Sequence, residues 1–163
     1  MELFEYLKNS QKSLFRFESL QYLSEDKESL DKYLKTGKVD MTDNAEWFDF
    51  LKSKNKGGVS TKRVRLVTLP INDYTKFEIE VFKVAKKYGD DIKIIMDSEF
   101  NQLDLPKIDF WNIDNKTVLK LNYDESGKYL EFENDSLNFN FYKSFQDEII
   151  KHSIEINDLN EYI

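Results

Sequence analysis

Arginine is scarce in this chain and unevenly placed. Of 24 basic residues only Arg16, Arg63 and Arg65 are arginine, and the last two stand two positions apart. The run Lys62-Arg63-Val64-Arg65-Leu66-Val67 alternates charged with apolar side chains. In an extended strand Arg63 and Arg65 therefore share one face, while Val64 and Leu66 point to the other. Lysine serves solubility equally well, whereas a guanidinium offers a planar fork of donors matched to carboxylate or phosphate oxygens. Two readings fit. One is an internal network of arginines and carboxylates on a crowded face, since buried charges must pair. The other is a site for a small anionic ligand.

Partners for the guanidiniums lie close by in sequence. Asp73, Tyr74 and Glu78 follow the strand, and a helix starting near Thr75 sets Tyr74 and Glu78 one turn apart. Thr75-x-x-Glu78 also has the form of a capping box, which gives Glu78 a second role. Further on, alternation along Asp109-Phe110-Trp111-Asn112-Ile113-Asp114 puts Asp109 on the same face as Trp111. A carboxylate beside an aromatic ring and opposite arginines fits a ligand pocket or a structural ion pair alike.

Other chemistries lack their residues. There is no cysteine, hence no disulfide, thiolate nucleophile or cysteine-held zinc. The one histidine, His152, falls late in the last predicted helix with no oriented partner in view, so a packing or surface role is expected. No glycine-rich phosphate loop, nucleophile elbow or zinc-binding His-Glu pair appears, and neither metal nor cofactor is expected. With a net charge of −7 and a pI near 4.9, direct binding to nucleic acid is disfavoured. No window approaches the ~18 apolar residues of a membrane span, and no basic run leads into an apolar stretch at the start. A cytoplasmic protein is expected.

The elements that must position these residues read as follows. At 163 residues the chain fits one domain, 1–163, with a helical part over 1–56 and a mixed α/β part over 59–163. Apolar residues at 3–4 spacing predict helices over 2–35, broken near Asn9-Ser10. The second of these is capped by Ser24, carries Leu30, Tyr33 and Leu34 inward and stops at Gly37. A short helix opens at Asp43–Glu46 with Trp47, Phe48 and Leu51 on its apolar side, and Lys52–Gly58 reads as a loop. A strand over 62–69, a helix closed by Gly89 and a strand over 92–96 make a βαβ-like unit with parallel pairing. Segments 108–113, 117–123 and 128–133 form an antiparallel meander, and Leu137, Phe141, Phe145 and Ile149 mark a C-terminal helix that docks on the sheet. The stretch 97–107 has room for one more short element. The fold class is α/β (α+β): N-terminal helices first, a mixed sheet after.

With those residues in view, the chain resembles an uncharacterised bacterial family, a domain of unknown function common in actinomycetes and often encoded near helix-turn-helix regulators. The resemblance rests on Leu14-Phe15-Arg16-Phe17-Glu18, Tyr22, Lys62–Val67, Pro70–Tyr74 with Phe77-Glu78, Gly89 with Ile92, and Asp109–Trp111 with Asp114. It covers roughly residues 10–150 and implies that Arg16, Glu18, Arg63, Arg65, Asp73, Tyr74, Glu78, Asp109 and Trp111 belong together. A fainter similarity links the meander and last helix to the phospholipase D-like fold. That fold's motif needs a lysine two residues after the histidine, where this chain has His152-Ser153-Ile154.

Three functions compete. The first is a non-catalytic binding or regulatory module with a protein partner, such as a regulator encoded nearby. The second is an enzyme with an unfamiliar arginine and carboxylate site acting on a phosphorylated small molecule. The third is an acidic phage or mobile-element inhibitor of a host nucleic-acid machine.

Overall fold

The computed structural model describes all 163 residues. In chain order the elements are α1 (Leu3–Lys8), β1 (Ser13–Glu18), α2 (Lys27–Thr36), α3 (Ala45–Lys56), β2 (Ser60–Val67), α4 (Asp73–Lys87), β3 (Asp91–Met96), α5 (Asp97–Gln102), β4 (Asp109–Ile113), β5 (Thr117–Tyr123), β6 (Tyr129–Asn134), α6 (Phe139–Lys151) and β7 (Ile154–Glu155). All strands join one seven-stranded mixed sheet in the order β6-β5-β4-β1-β2-β3-β7. The three strands β1, β2 and β3 pair in parallel and the remaining pairings are antiparallel. The fold is α+β, with β2–α4–β3 as the βαβ unit and β4–β5–β6 as the meander. No helix is long and apolar enough to cross a membrane.

The two faces of the sheet are covered differently. On one, Phe15, Phe17, Val64, Leu66 and Phe110 pack beneath Phe100 of α5 and Tyr142, Phe145 and Ile149 of α6. Phe145 meets Phe17 and Phe110 edge-on at 5.2 and 5.4 Å between ring centroids, the arrangement that ring quadrupoles favour. The opposite face lies under the other four helices. There α3 and α4 pack over β2 and β3 through Phe48, Leu51, Phe82 and Ile92. Helix α1 packs over β1, β4 and β5 through Leu7, Leu14 and Leu119, and α2 rests on α4 through Leu30, Tyr74 and Phe77.

Several elements differ from the sequence reading. Residues 13–18, predicted helical, form β1, and this strand sits at the centre of the sheet between β4 and β2. The division into a helical part over 1–56 and a sheet part after it therefore fails. Because β1 is covered on both faces, its apolar residues mimic helical spacing; Phe15 and Phe17 alternating with Arg16 and Glu18 is the period-two signal. Helix α3 continues through the predicted loop to Lys56. Ser24 starts a short 3-10 turn rather than capping α2, and Asp26 takes the cap position. Leu34, Leu137 and Phe141 are exposed, and Tyr142 occupies the buried place beside Phe145. The short strand β7 carries no sequence signal at two residues.

The predicted capping box also dissolves. Asn72 caps α4, its side-chain oxygen accepting the Thr75 N–H at 2.8 Å. The helix thus opens earlier than predicted, and Glu78 stands on its buried side without a capping role. At the other end Gly89, at φ 103°, closes the helix where a β-carbon would lie 2.5 Å from the Asn55 side chain, so only glycine fits. Asp114 has a fixed duty too: it accepts backbone N–H bonds from Gln11, Lys12 and Ser13, tying the start of β1 to the β4–β5 turn.

Candidate functional site

Strand register brings the charged residues together. The parallel pairing of β1 with β2 sets Arg16 beside Arg63 and Glu18 beside Arg65, and the antiparallel pairing of β1 with β4 sets Trp111 on the other side of Arg16. All three arginines of the chain are buried here, at 3%, 8% and 1% exposure for Arg16, Arg63 and Arg65. Adjacent guanidiniums repel, and burial would make that ruinous without counter-charge.

Glu18 supplies the hub. One carboxylate oxygen accepts from Arg63 and lies 3.7 Å from Arg16 Nε, while the other lies 3.9 Å from Arg65 Nη1. Burial alone would raise its pKa; Arg63, Arg16 and Arg65 together hold it below the usual carboxylate range. Each arginine then has an acid of its own. Arg16 donates to Asp109 and to the Tyr123 hydroxyl, both at 3.2 Å, and to the Phe17 carbonyl at 2.6 Å. Asp109 is completed by the backbone N–H and hydroxyl of Ser19. Arg63 lies 3.7 Å from Asp90 and is boxed by the rings of Trp47, Phe82 and Trp111, at 5.6, 5.6 and 5.7 Å from the guanidinium carbon. Arg65 Nε lies 2.8 Å from Glu78 Oε1, off the hydrogen-bonding line, and its Nη2 has no partner.

A second feature adjoins the network. The Tyr74 hydroxyl lies 2.7 Å from Asp26 Oδ2 and 3.1 Å from Glu78 Oε2. One hydroxyl carries one proton, so both contacts are hydrogen bonds only when one of the carboxyls is itself protonated. The electrostatics favour this. Burial pushes Glu78 up to about 8 against the opposing pull of Arg65, and burial raises Asp26 as well. Burial also raises Asp90 and lifts the Tyr74 phenol far above its ordinary range.

Most of the residues singled out in the sequence meet at this place. Arg16, Glu18, Arg63, Arg65, Tyr74, Glu78, Asp109 and Trp111 are all buried and in contact through the pairs described above. Asp73 is not among them. It opens α4 with its side chain 66% exposed, 4.0 Å from Lys76, because the earlier start of the helix turns it outward. Four participants carried weaker signals. Tyr123 alternates with Leu119 and Leu121 and so shares the face of Asp109. Asp26 reads as an ordinary first-turn acid, Asp90 as a turn residue and Trp47 as core. His152 lies elsewhere, at the end of α6, with its ring nitrogens 3.6 and 3.7 Å from Glu99 and Glu148. Those carboxylates are the partners that the sequence reading did not find for it.

Above the network, between the sheet and the helices, is a cavity of about 280 Å³. Arg16, Glu18 and Arg63 form its floor; Phe77, Glu78 and Val81 of α4 wall one side, and Asp26, Trp47 and Tyr123 stand half-buried at its mouth. A larger groove of about 790 Å³ runs along the far side of α4, between Leu69–Ile71 and Leu159–Ile163. Its charged groups, Lys76, Glu80 and Lys83, lie near solvent, so it lacks the buried charge that distinguishes the smaller cavity. The chain belongs to a family described as a domain of unknown function, DUF6879, which it matches over residues 1–162. No curated protein matches it.

Proposed function

We propose that this DUF6879 domain is a non-catalytic binding module that takes a small ligand in the cavity above the arginine network and conveys its occupancy to a protein partner. The observation that carries this reading is the cavity itself: 280 Å³ is near the lower size of small-molecule sites, and its lining combines apolar and aromatic walls with a few converging charges. Its lining comes from α1, α3 and α4, from β1, β2, β4 and β5, and from the turn that enters α2. A ligand seated there lies between the sheet and the surface helices, which gives occupancy a route to them.

The polar groups beneath the cavity favour binding over turnover. Arg16 and Asp109 are saturated by one another and by Tyr123, Ser19 and backbone oxygen, as a rigid platform requires. The runner-up is an enzyme, and one observation supports it. Glu78 lines the cavity with its pKa pushed up to about 8, the range of a general acid or base at neutral pH.

A ligand-observed NMR screen of a fragment library against the wild-type chain and Val81→Trp, which fills the cavity from α4, tests the module. Fragments that bind the wild type and lose binding in the variant support it. Hits that persist unchanged in the folded variant, or a library without hits, count against it. A fragment that is chemically converted, with conversion lost in Glu78→Gln, would favour the enzyme.

A further inference from the structure

Arginines alone pointed to an anionic ligand, but the carboxylates around them reverse that expectation. Five acids, Glu18, Asp26, Glu78, Asp90 and Asp109, surround three guanidiniums, and no lysine or histidine lines the cavity. The guanidinium groups facing the cavity are already engaged: Arg16 by Asp109 and Tyr123, Arg63 by Glu18 and three aromatic rings. Arg65, whose Nη2 lacks a partner, does not border the cavity. Two acids that do border it, Glu18 and Glu78, are more than nine-tenths buried; Oε2 of Glu18 and Oε1 of Glu78 face Arg65, 3.9 and 2.8 Å away, and Oε2 of Glu78 is shared with the Tyr74 hydroxyl. Asp26 stands at the mouth with only one of its oxygens bound, to Tyr74.

We infer that the cavity takes a small organic cation, an ammonium group on an apolar or aromatic body, with the ammonium lodged between Asp26 and Glu78 and the body against Phe77, Val81 and Trp47. The inference rests on the binding-module reading and names its ligand class. The Asp26–Tyr74–Glu78 contact holds a proton between two acids. A cation does the same work without a proton. The groups facing Glu78 from all sides are Tyr74 on its own helix, Asp26 at the start of α2, Glu18 on β1, and Arg63 and Arg65 on β2.

Three probes of one shape separate the outcomes: 2-phenylethylammonium, 2-phenylethanol and 3-phenylpropionate, titrated calorimetrically into the full-length wild-type chain, Asp26→Asn and Val81→Trp. The cation is expected to bind about tenfold more tightly than the alcohol, and the anion more weakly than both. Its binding should release protons below about pH 8, measured from the heat in buffers of different ionisation enthalpy. Asp26→Asn should erase most of the preference for the cation and leave the alcohol unchanged, and Val81→Trp should abolish binding of all three. If the alcohol or the anion binds the cavity as well as the cation, the cation inference falls and the ligand module stands. If none of the three binds the wild type, or all bind Val81→Trp unchanged, the cation inference falls, and the fragment screen alone then decides the module.

Discussion

Phe17 and Glu18 are consecutive residues of β1, both buried, and they face opposite sides of one sheet. Under Phe17 lies a layer of phenylalanines from α5, α6 and β4. Above Glu18 lie three arginines, four further acids and a cavity. The apolar side is closed by shape, and each aromatic ring there can bury ~150–250 Å² at no electrostatic cost. The other side gathers charges whose removal from water is costly, and their mutual attraction does little more than offset that. In many proteins an apolar layer of like volume holds the fold equally well, so the contrast fits the ligand role proposed for the arginine side.

Substitutions sharpen the comparison. The largest effect is expected from Glu18→Ala, which leaves three buried guanidiniums without their shared partner: ~3–5 kcal/mol lost in denaturant unfolding. A loss no greater than that of a surface carboxylate would break the account of Glu18 as hub. Next is Arg63→Lys, where an ammonium cannot lie flat among Trp47, Phe82 and Trp111 while reaching Glu18; about 1.5–3 kcal/mol is expected by the same measurement.

The pH dependence of unfolding separates the two sides in kind. Glu78 titrates higher folded than unfolded, so the folded state binds its proton more tightly. Its contribution is therefore fully present at low pH and is lost as pH rises from the ordinary carboxylate range through about 8, with Asp26 and Asp90 acting in the same direction. Glu18, shifted the other way, weakens the fold only as pH falls below that range. Melting temperature should thus decline between mildly acidic and mildly alkaline pH, and Glu78→Gln should flatten the decline, whereas Ile149→Val on the apolar side should lower the whole curve without changing its slope. The smallest effect is expected from Asp73→Asn, within about 0.5 kcal/mol, since its side chain is exposed and 4.0 Å from Lys76.

Much of this is legible in the sequence. Lys62–Val67 alternates, the helix after it carries an apolar stripe, and Gly89 marks its end, so β2–α4–β3 read directly. Arg63 with Arg65 and Asp109 with Trp111 followed from strand alternation alone. Arg16 and Glu18 were placed with them only by family resemblance, because a helical reading of residues 13–18 points the two in different directions. The strand is apolar on one side and charged yet buried on the other, and local patterns cannot distinguish a buried charge from a solvated one. Asp26 and Asp90 were out of reach for a related reason: each is an ordinary turn acid locally and joins the site only when distant elements pack. Asp73 erred in the opposite sense, its outward turn being decided by Asn72 capping the helix early.

The account holds that the arginine side is kept for a ligand and not for the fold. Replacing the charges by apolar residues of like size, Glu18→Leu, Arg63→Met, Arg65→Met and Glu78→Leu, together with Asp90→Asn so that no acid is left without Arg63, removes the desolvation cost along with the pairing and leaves Arg16 with Asp109. The direct measurement is the titration of fragment hits into that variant by NMR, with its unfolding curve recorded alongside. The account predicts a folded chain about as stable as the wild type with binding lost; a folded variant that binds as well as the wild type would contradict it.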